Sequence, residues 1–263
     1  MNSNRAVEQP QYTLPKILGI WFAVTAPMGL FRYVVTPLAL PRLAQTLHPG
    51  IFFWIMMVLG MAWQFVVSAL LIRREVRPLT WENLKKRLWL KLPTDPHSGR
   101  RRPILFLWVI PVIVYGFALG QTGILEPLRA AVLRLAPGLA TPAYAEITGL
   151  LSPQFHGAWW LVGLALVSCL FNYLLGEELL FRGILLPKMN GVFGRFDWLA
   201  NACLFAAYHV HKASYIPLIL ISGILIALPS KVFRSNWMSV IIHGVEGVML
   251  IVLVLGAVTG RLE

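Results

Sequence analysis

The chain has 263 residues, of which 57% are hydrophobic and only 13% charged, yet it carries a formal net charge of +12. That composition excludes an ordinary soluble domain, and continuous rather than alternating apolar runs exclude a β-barrel in favour of helices, each needing about 20 apolar residues to cross a ~30 Å hydrocarbon core. The positive charge is concentrated in one segment, which argues against nucleic acid as its partner.

In chain order, the first apolar run predicts a helix over 17–36. It follows Lys16 and has no small-residue cleavage site, so it is expected to be retained rather than removed as a signal peptide. A second helix is predicted over 50–72. Residues 73–102 then hold ten Lys/Arg against three acids, a net of 10 − 3 = +7. Between membrane helices, such a block reads as a cytoplasmic loop, which places the N-terminus inside as well; in a bacterium the membrane would be the plasma (inner) membrane. Attraction to anionic lipid headgroups is a secondary use of the loop. Within it, Trp81 to Leu90 predicts a surface helix anchored by tryptophan and capped by Thr80.

A third helix is predicted over 103–121. Segment 122–156 contains an amphipathic stretch, Leu128 to Leu135, too short to span and expected to lie at the interface or re-enter. Residues 1–156 thus read as N-terminal membrane helices with a basic loop (73–102) and an interfacial segment (122–156), and 157–258 as a helical core. Together they predict one all-α, polytopic transmembrane bundle of about seven to eight spans. The later helices are expected over 157–176, 197–211, 215–229 and 237–258. As one helix, Leu161 to Met189 would be about 43 Å long, so it should tilt, break near Gly176 or Gly183, or project from the membrane. Cys169 and Cys203 lie in apolar segments and read as buried thiols rather than a disulfide pair.

Two adjacent carboxylates, Glu177 and Glu178, interrupt that long apolar stretch. A charge at bilayer depth costs about 2.5–3.5 kcal/mol on insertion scales, so it needs a partner or a cavity. On a helix, Glu178 shares a face with Arg182, whereas Glu177 shares one with Tyr173 and Phe181 and has no local countercharge. Desolvation without a cation favours the protonated carboxyl, the condition in which a glutamate acts as a base or acid near neutrality. Glu177 is therefore the candidate reacting group, and Glu178 with Arg182 its brace. A polar network that merely locks helices together is the alternative from spacing alone. Two histidines, His209 and His243, lie in later apolar helices. Each could be a packing residue, but with the glutamates they suggest a wet site inside the bundle. Glu246, three residues after His243, could orient its imidazole. His211 reads as interfacial, and His48, His97 and His156 carry no pattern.

These residues resemble the CAAX-protease and bacteriocin-processing (Abi) family of intramembrane endopeptidases, which includes the type II CAAX prenyl endopeptidase. The likeness covers about residues 157–250. Glu177-Glu178-Leu-Leu-Phe-Arg182 matches its Glu-Glu-x-x-x-Arg motif, and Phe205 to His209 its Phe-x-x-x-His motif. Its third motif is half present, with His243 in place and Gly247 where asparagine or a similar residue is usual. The resemblance implies peptide hydrolysis within the membrane, with Glu177 and His209 activating water, His243 donating to the oxyanion, and Glu178, Arg182 and Phe205 in support. Gly247 offers no side-chain donor, so water, Asn172, Asn201 or protonated Glu246 would have to substitute.

No cofactor is favoured. Zinc through Glu177, His209 and His243 is the metal-dependent variant, although nothing here resembles H-E-x-x-H. The expected partners are a membrane-associated peptide or protein substrate and the lipid bilayer, with cleavage near the cytoplasmic face. An inactive scaffold of the same fold is the rival reading, favoured by Gly247. A proton-coupled transporter is less favoured, because no internal repeat is present.

Overall fold

The computed structural model describes residues 10–43, 45–146, 149 and 151–262. In chain order its helices are α1 (Leu14–Leu43), α2 (Pro49–Glu75), α3 (Trp81–Arg87), α4 (Pro103–Gln121), α5 (Glu126–Leu135), α6 (Trp160–Lys188), α7 (Asp197–Tyr208), α8 (Val210–Phe233) and α9 (Asn236–Val258). Among the described residues there is no strand, only an isolated bridge between Thr94 and Arg101. The chain is an all-α polytopic bundle.

Six of these helices, α1, α2, α4, α6, α8 and α9, are long and apolar enough to cross a membrane. The expectation of seven to eight is corrected at α7. Its apolar run ends at His209 (φ −76°, ψ 40°), so the helix has 12 residues and is only about 18 Å long. It folds back as an antiparallel hairpin on α8, with Asp197 paired to Lys231 and Gly223 lying against Ala202 and Phe205. The first turns of α8, Val210–Tyr215, are 3-10 and kinked at Lys212.

Helix α6 neither breaks at Gly176 nor at Gly183. It runs from Trp160 to Lys188, but its turns widen to π geometry over Phe171–Gly176 and Glu178–Leu185. A Cβ at Gly176 would collide with the Phe171 carbonyl and approach Met61 O and Gln64 Oε1 of α2 at 3.1 Å, so glycine lets α2 and α6 meet closely there.

Carbonyls released by prolines are answered from neighbouring helices, as the lack of water in a bilayer requires. Pro27 cannot donate to Ala23 O, and Trp63 Nε1 does so instead at 3.0 Å. Near the end of α6, Pro187 has no N–H to offer the preceding turn. Arg87 donates to Gly183 O and Ile184 O at 3.1 and 3.3 Å.

The ends of α2, α6 and α8 and the starts of α3, α4 and α9 gather at one pole. Arg87 and Lys16 both pair with Glu75, Tyr12 N donates to Lys188 O (2.9 Å), Asn236 N to Trp89 O (2.9 Å) and Thr94 N to Phe233 O (2.8 Å). As expected, Thr80 caps α3, accepting from Asn83 N at 3.3 Å. At the opposite pole Gly157 N donates to Val258 O (2.8 Å), and His48, at the helix edge, caps α2 through Gly50 N (3.1 Å). The main core packs Ile17, Ile20, Val24 and Met28 of α1 and Phe53 and Met57 of α2 against Leu180, Phe181, Ile184 and Leu185 of α6 and Phe205 of α7. It therefore joins the two halves distinguished in the sequence. The thiols are unpaired, and Cys203, expected to be buried, is exposed on α7.

Candidate active site

Burial of polar residues concentrates where α6, α7 and α9 meet. Glu177, Glu178, Arg182 and His243 are all at most 5% exposed. Arg182 Nη1 donates to Glu178 Oε1 at 3.1 Å, as i, i+4 spacing predicts. The same oxygen lies 2.8 Å from His243 Nδ1, a contact between residues 65 apart that helix spacing does not reveal. Glu178 thus ties α6 to α9 as well as bracing its own turn.

Glu177 points the other way, into a cavity of about 650 Å³ that His209 and His243 also line. His209 Nε2 is 3.7 Å from Glu177 Oε1, too far for a direct hydrogen bond, and both residues line that cavity. The other ring nitrogen, Nδ1, lies 2.8 Å from Phe205 O. Donation there fixes the tautomer in which Nε2 carries a lone pair facing Glu177. Asn172, with its amide oriented to satisfy both ends, donates to the two Glu177 oxygens at 3.1 and 3.0 Å.

Phe205 is the packing hub of the site. Its ring centroid lies 4.7 Å from that of His209 and 5.8 Å from that of His243, both edge-on, and Arg182 Cζ lies 4.0 Å from the ring centre. The phenylalanine therefore sets both imidazoles while its face receives the guanidinium.

Glu246 is more peripheral than expected. Its side chain is 59% exposed, and its Oε2 stands 3.7 Å from His243 Nε2. Asn201 is engaged elsewhere, donating to Phe181 O at 2.8 Å. His211, expected at the interface, is buried, lines the cavity and lies 5.3 Å ring to ring from His209.

Tyr173 is the residue that sequence reasoning passed over. Its ring stands edge-on to His243 at 4.7 Å, and it lines the cavity. A Cβ on Gly247 would fall 2.6 Å from that ring. Gly247 is thus the space Tyr173 occupies, and the two positions answer each other. The available signal was the spacing of Tyr173 one turn before Glu177, together with a glycine four residues after His243.

Among the described residues no group of three or more His, Cys, Asp or Glu side chains is arranged to hold a metal ion. Glu177 and His209 face one another, but Nδ1 of His243 is committed to Glu178. The zinc set of Glu177, His209 and His243 is therefore not gathered as a three-ligand site.

Residues 155–249 match the family model described as type II CAAX prenyl endopeptidase Rce1-like, a segment that contains every residue of the site named above. No curated protein and no solved structure matches the chain.

Proposed function

From the premise that residues 155–249 belong with the type II CAAX prenyl endopeptidase Rce1-like family, we propose that this integral membrane protein hydrolyses peptide bonds of a membrane-associated polypeptide with a water activated by Glu177 and His209. The observation that carries the reading is the 3.7 Å gap between the Glu177 carboxylate and His209 Nε2 at a cavity wall. A single water giving one hydrogen to each acceptor would hold them about 4.5 Å apart, so a small opening of the gap admits it and leaves its oxygen lone pair free to attack.

The water oxygen bonds to the scissile carbonyl carbon as its proton passes to Glu177. The oxyanion so formed accepts from the Tyr173 hydroxyl and, when its ring is doubly protonated, from His243 Nε2–H, with Nδ1 held by Glu178. The C–N bond then breaks, and Glu177 returns the proton to the departing amine. Tyr173 takes the place of the side-chain donor that Gly247 lacks, which favours an enzyme over a scaffold. Removing one such donor costs about 2.7–4 kcal/mol in enzymes where it has been measured.

The test is hydrolysis of membrane peptides in detergent by the wild type and Glu177→Gln. The variant is expected to lose about 10²–10⁴-fold in kcat, the usual contribution of a general base. Equal rates would remove Glu177 from the mechanism. Loss of wild-type activity on chelation, restored by zinc, would replace the metal-free reading.

A further inference from the structure

A second cavity, of about 450 Å³, lies at the basic pole and shares no residue with the first. Three pieces of chain build it: the turn 94–99 of the basic loop, the entry to α7 with Arg195 and Trp198, and the last turns of α8 with Arg234 beyond them. Thr94 N donates to Phe233 O at 2.8 Å and Ser235 Oγ to Lys91 O at 2.6 Å, which pins the loop to the end of α8. The Asp197–Lys231 pair pins the entry of α7 to the same helix. The walls are held by contacts of the fold, so the space is preformed.

Its charge is unbalanced. Arg195, Lys231 and Arg234 line it together with a single acid, Asp95. That carboxylate is engaged within its own turn, where Oδ1 accepts from His97 N and Ser98 N at 2.9 and 3.1 Å and Oδ2 from Arg102 Nη1 at 3.4 Å. Lys231 is matched by Asp197. Among the described residues neither Arg195 nor Arg234 forms an ion pair, and Arg195 has the Phe196 ring at 4.8 Å as its neighbour. Burial, and then the like charges of Arg101, Arg234 and Lys86, hold the adjoining Lys91 below its usual range, a sign that anions are scarce there. The remaining wall is apolar. Leu228 and Val232 are 37% and 40% exposed on a helix long and apolar enough to span, so they border lipid tails, and Trp198 stands at the depth where membrane proteins concentrate tryptophan.

We infer that this cavity holds the headgroup of an anionic phospholipid from the leaflet that the basic pole faces, with Arg195 and Arg234 on its phosphate oxygens and its glycerol and first acyl carbons along Leu228 and Val232. The volume is of small-ligand size. Guanidinium groups bind phosphate through paired hydrogen bonds, and basic pockets beside membrane helices recur as headgroup sites. A soluble anion uses the arginines but not the apolar wall, whereas an amphiphile uses both. The site is distinct from the diffuse attraction expected of segment 73–102, because neither arginine belongs to that segment. It is also independent of the protease reading. A lipid bound there joins the entry of α7 to the end of α8, so it stabilises the hairpin whose far end carries His209.

The test is a titration of the purified full chain in an uncharged detergent, read as the thermal unfolding midpoint. Phosphatidylglycerol is expected to raise the midpoint saturably, whereas phosphatidylcholine with the same acyl chains, glycerol phosphate and inorganic phosphate are not. The double variant Arg195→Gln, Arg234→Gln should weaken the affinity for phosphatidylglycerol about 30-fold, equivalent to about 1 kcal/mol for each cation. Arg73→Gln with Arg74→Gln removes the same charge from exposed positions of the same pole and should leave the affinity unchanged. Should the first double variant unfold without lipid, Arg195→Gln alone, at an exposed residue ahead of α7, is expected to show a loss of about 5-fold. A wild type with no saturable rise, an unchanged affinity in the Arg195 and Arg234 variants, or an equal loss in the Arg73 and Arg74 variant overturns the inference. So does binding of glycerol phosphate as tight as that of the lipid, which would assign the cavity to a soluble anion.

Discussion

Glu177 and Glu178 are neighbours in the chain with opposite surroundings. One faces a cavity and a histidine lone pair, and the other is clamped between Arg182 and His243. The i, i+4 rule makes the second arrangement legible for Arg182, because it depends only on helix geometry. The His243 half depends on how α9 is laid against α6. Removing one partner of a buried pair leaves an uncompensated charge and costs about 3–5 kcal/mol, so Arg182→Leu should unfold at markedly lower denaturant or temperature in detergent. A midpoint like that of the wild type would show that His243 alone satisfies Glu178. At Tyr173, replacement by Phe keeps the ring against His243 and removes only the donor. It is expected to lower kcat about 10²–10³-fold with KM unchanged, and a rise in KM alone would assign Tyr173 to substrate binding. Gly247→Ala pushes a methyl group to within 2.6 Å of that ring, so it should both destabilise by about 1–3 kcal/mol and lower kcat. Wild-type values for both would mean that Tyr173 has room to move.

Helix α6 departs most from its predicted form. Apolar length alone argues for a tilt or a break, whereas the helix widens into π turns, a distortion that recurs at functional sites. The cause lies in its neighbours: α2 comes close at Gly176, and Arg87 and Asn201 supply donors to α6 carbonyls. None of these contacts is local in sequence. The short α7 differs from its predicted span for a related reason, since an apolar run does not reveal that its helix stops at His209, whose ring lies beside Glu177. At the basic pole, burial holds the Tyr12 phenol well above its ordinary range, with its O–H donating to Glu75 at 2.6 Å. The folded protein therefore keeps this proton at pH values where the unfolded chain, with a tyrosine pKa of about 10, releases it. Stability from this group is complete below about pH 10 and falls as pH rises beyond it. Denaturation midpoints in detergent should drop on the alkaline side for the wild type, and less so for Tyr12→Phe. Identical alkaline slopes would show that Tyr12 does not contribute.

Seen end to end, the bundle is polarised in charge, with Lys16, Arg87 and Lys188 gathered at the pole where α2 and α6 end. At that pole burial, and after it the like charges of Arg101, Arg234 and Lys86, hold the Lys91 ammonium below its usual range. The membrane class, the all-helical fold, the basic loop and the residues worth watching were all legible in the chain. Each follows from local quantities: run length against bilayer thickness, the sign of charge in a connection, and the cost of a carboxylate among apolar side chains. The number of helices able to span, the partner of His243 and the pairing of Tyr173 with Gly247 were not. Those depend on contacts between residues tens to hundreds of positions apart, and helix periodicity carries no information about how helices are laid against one another.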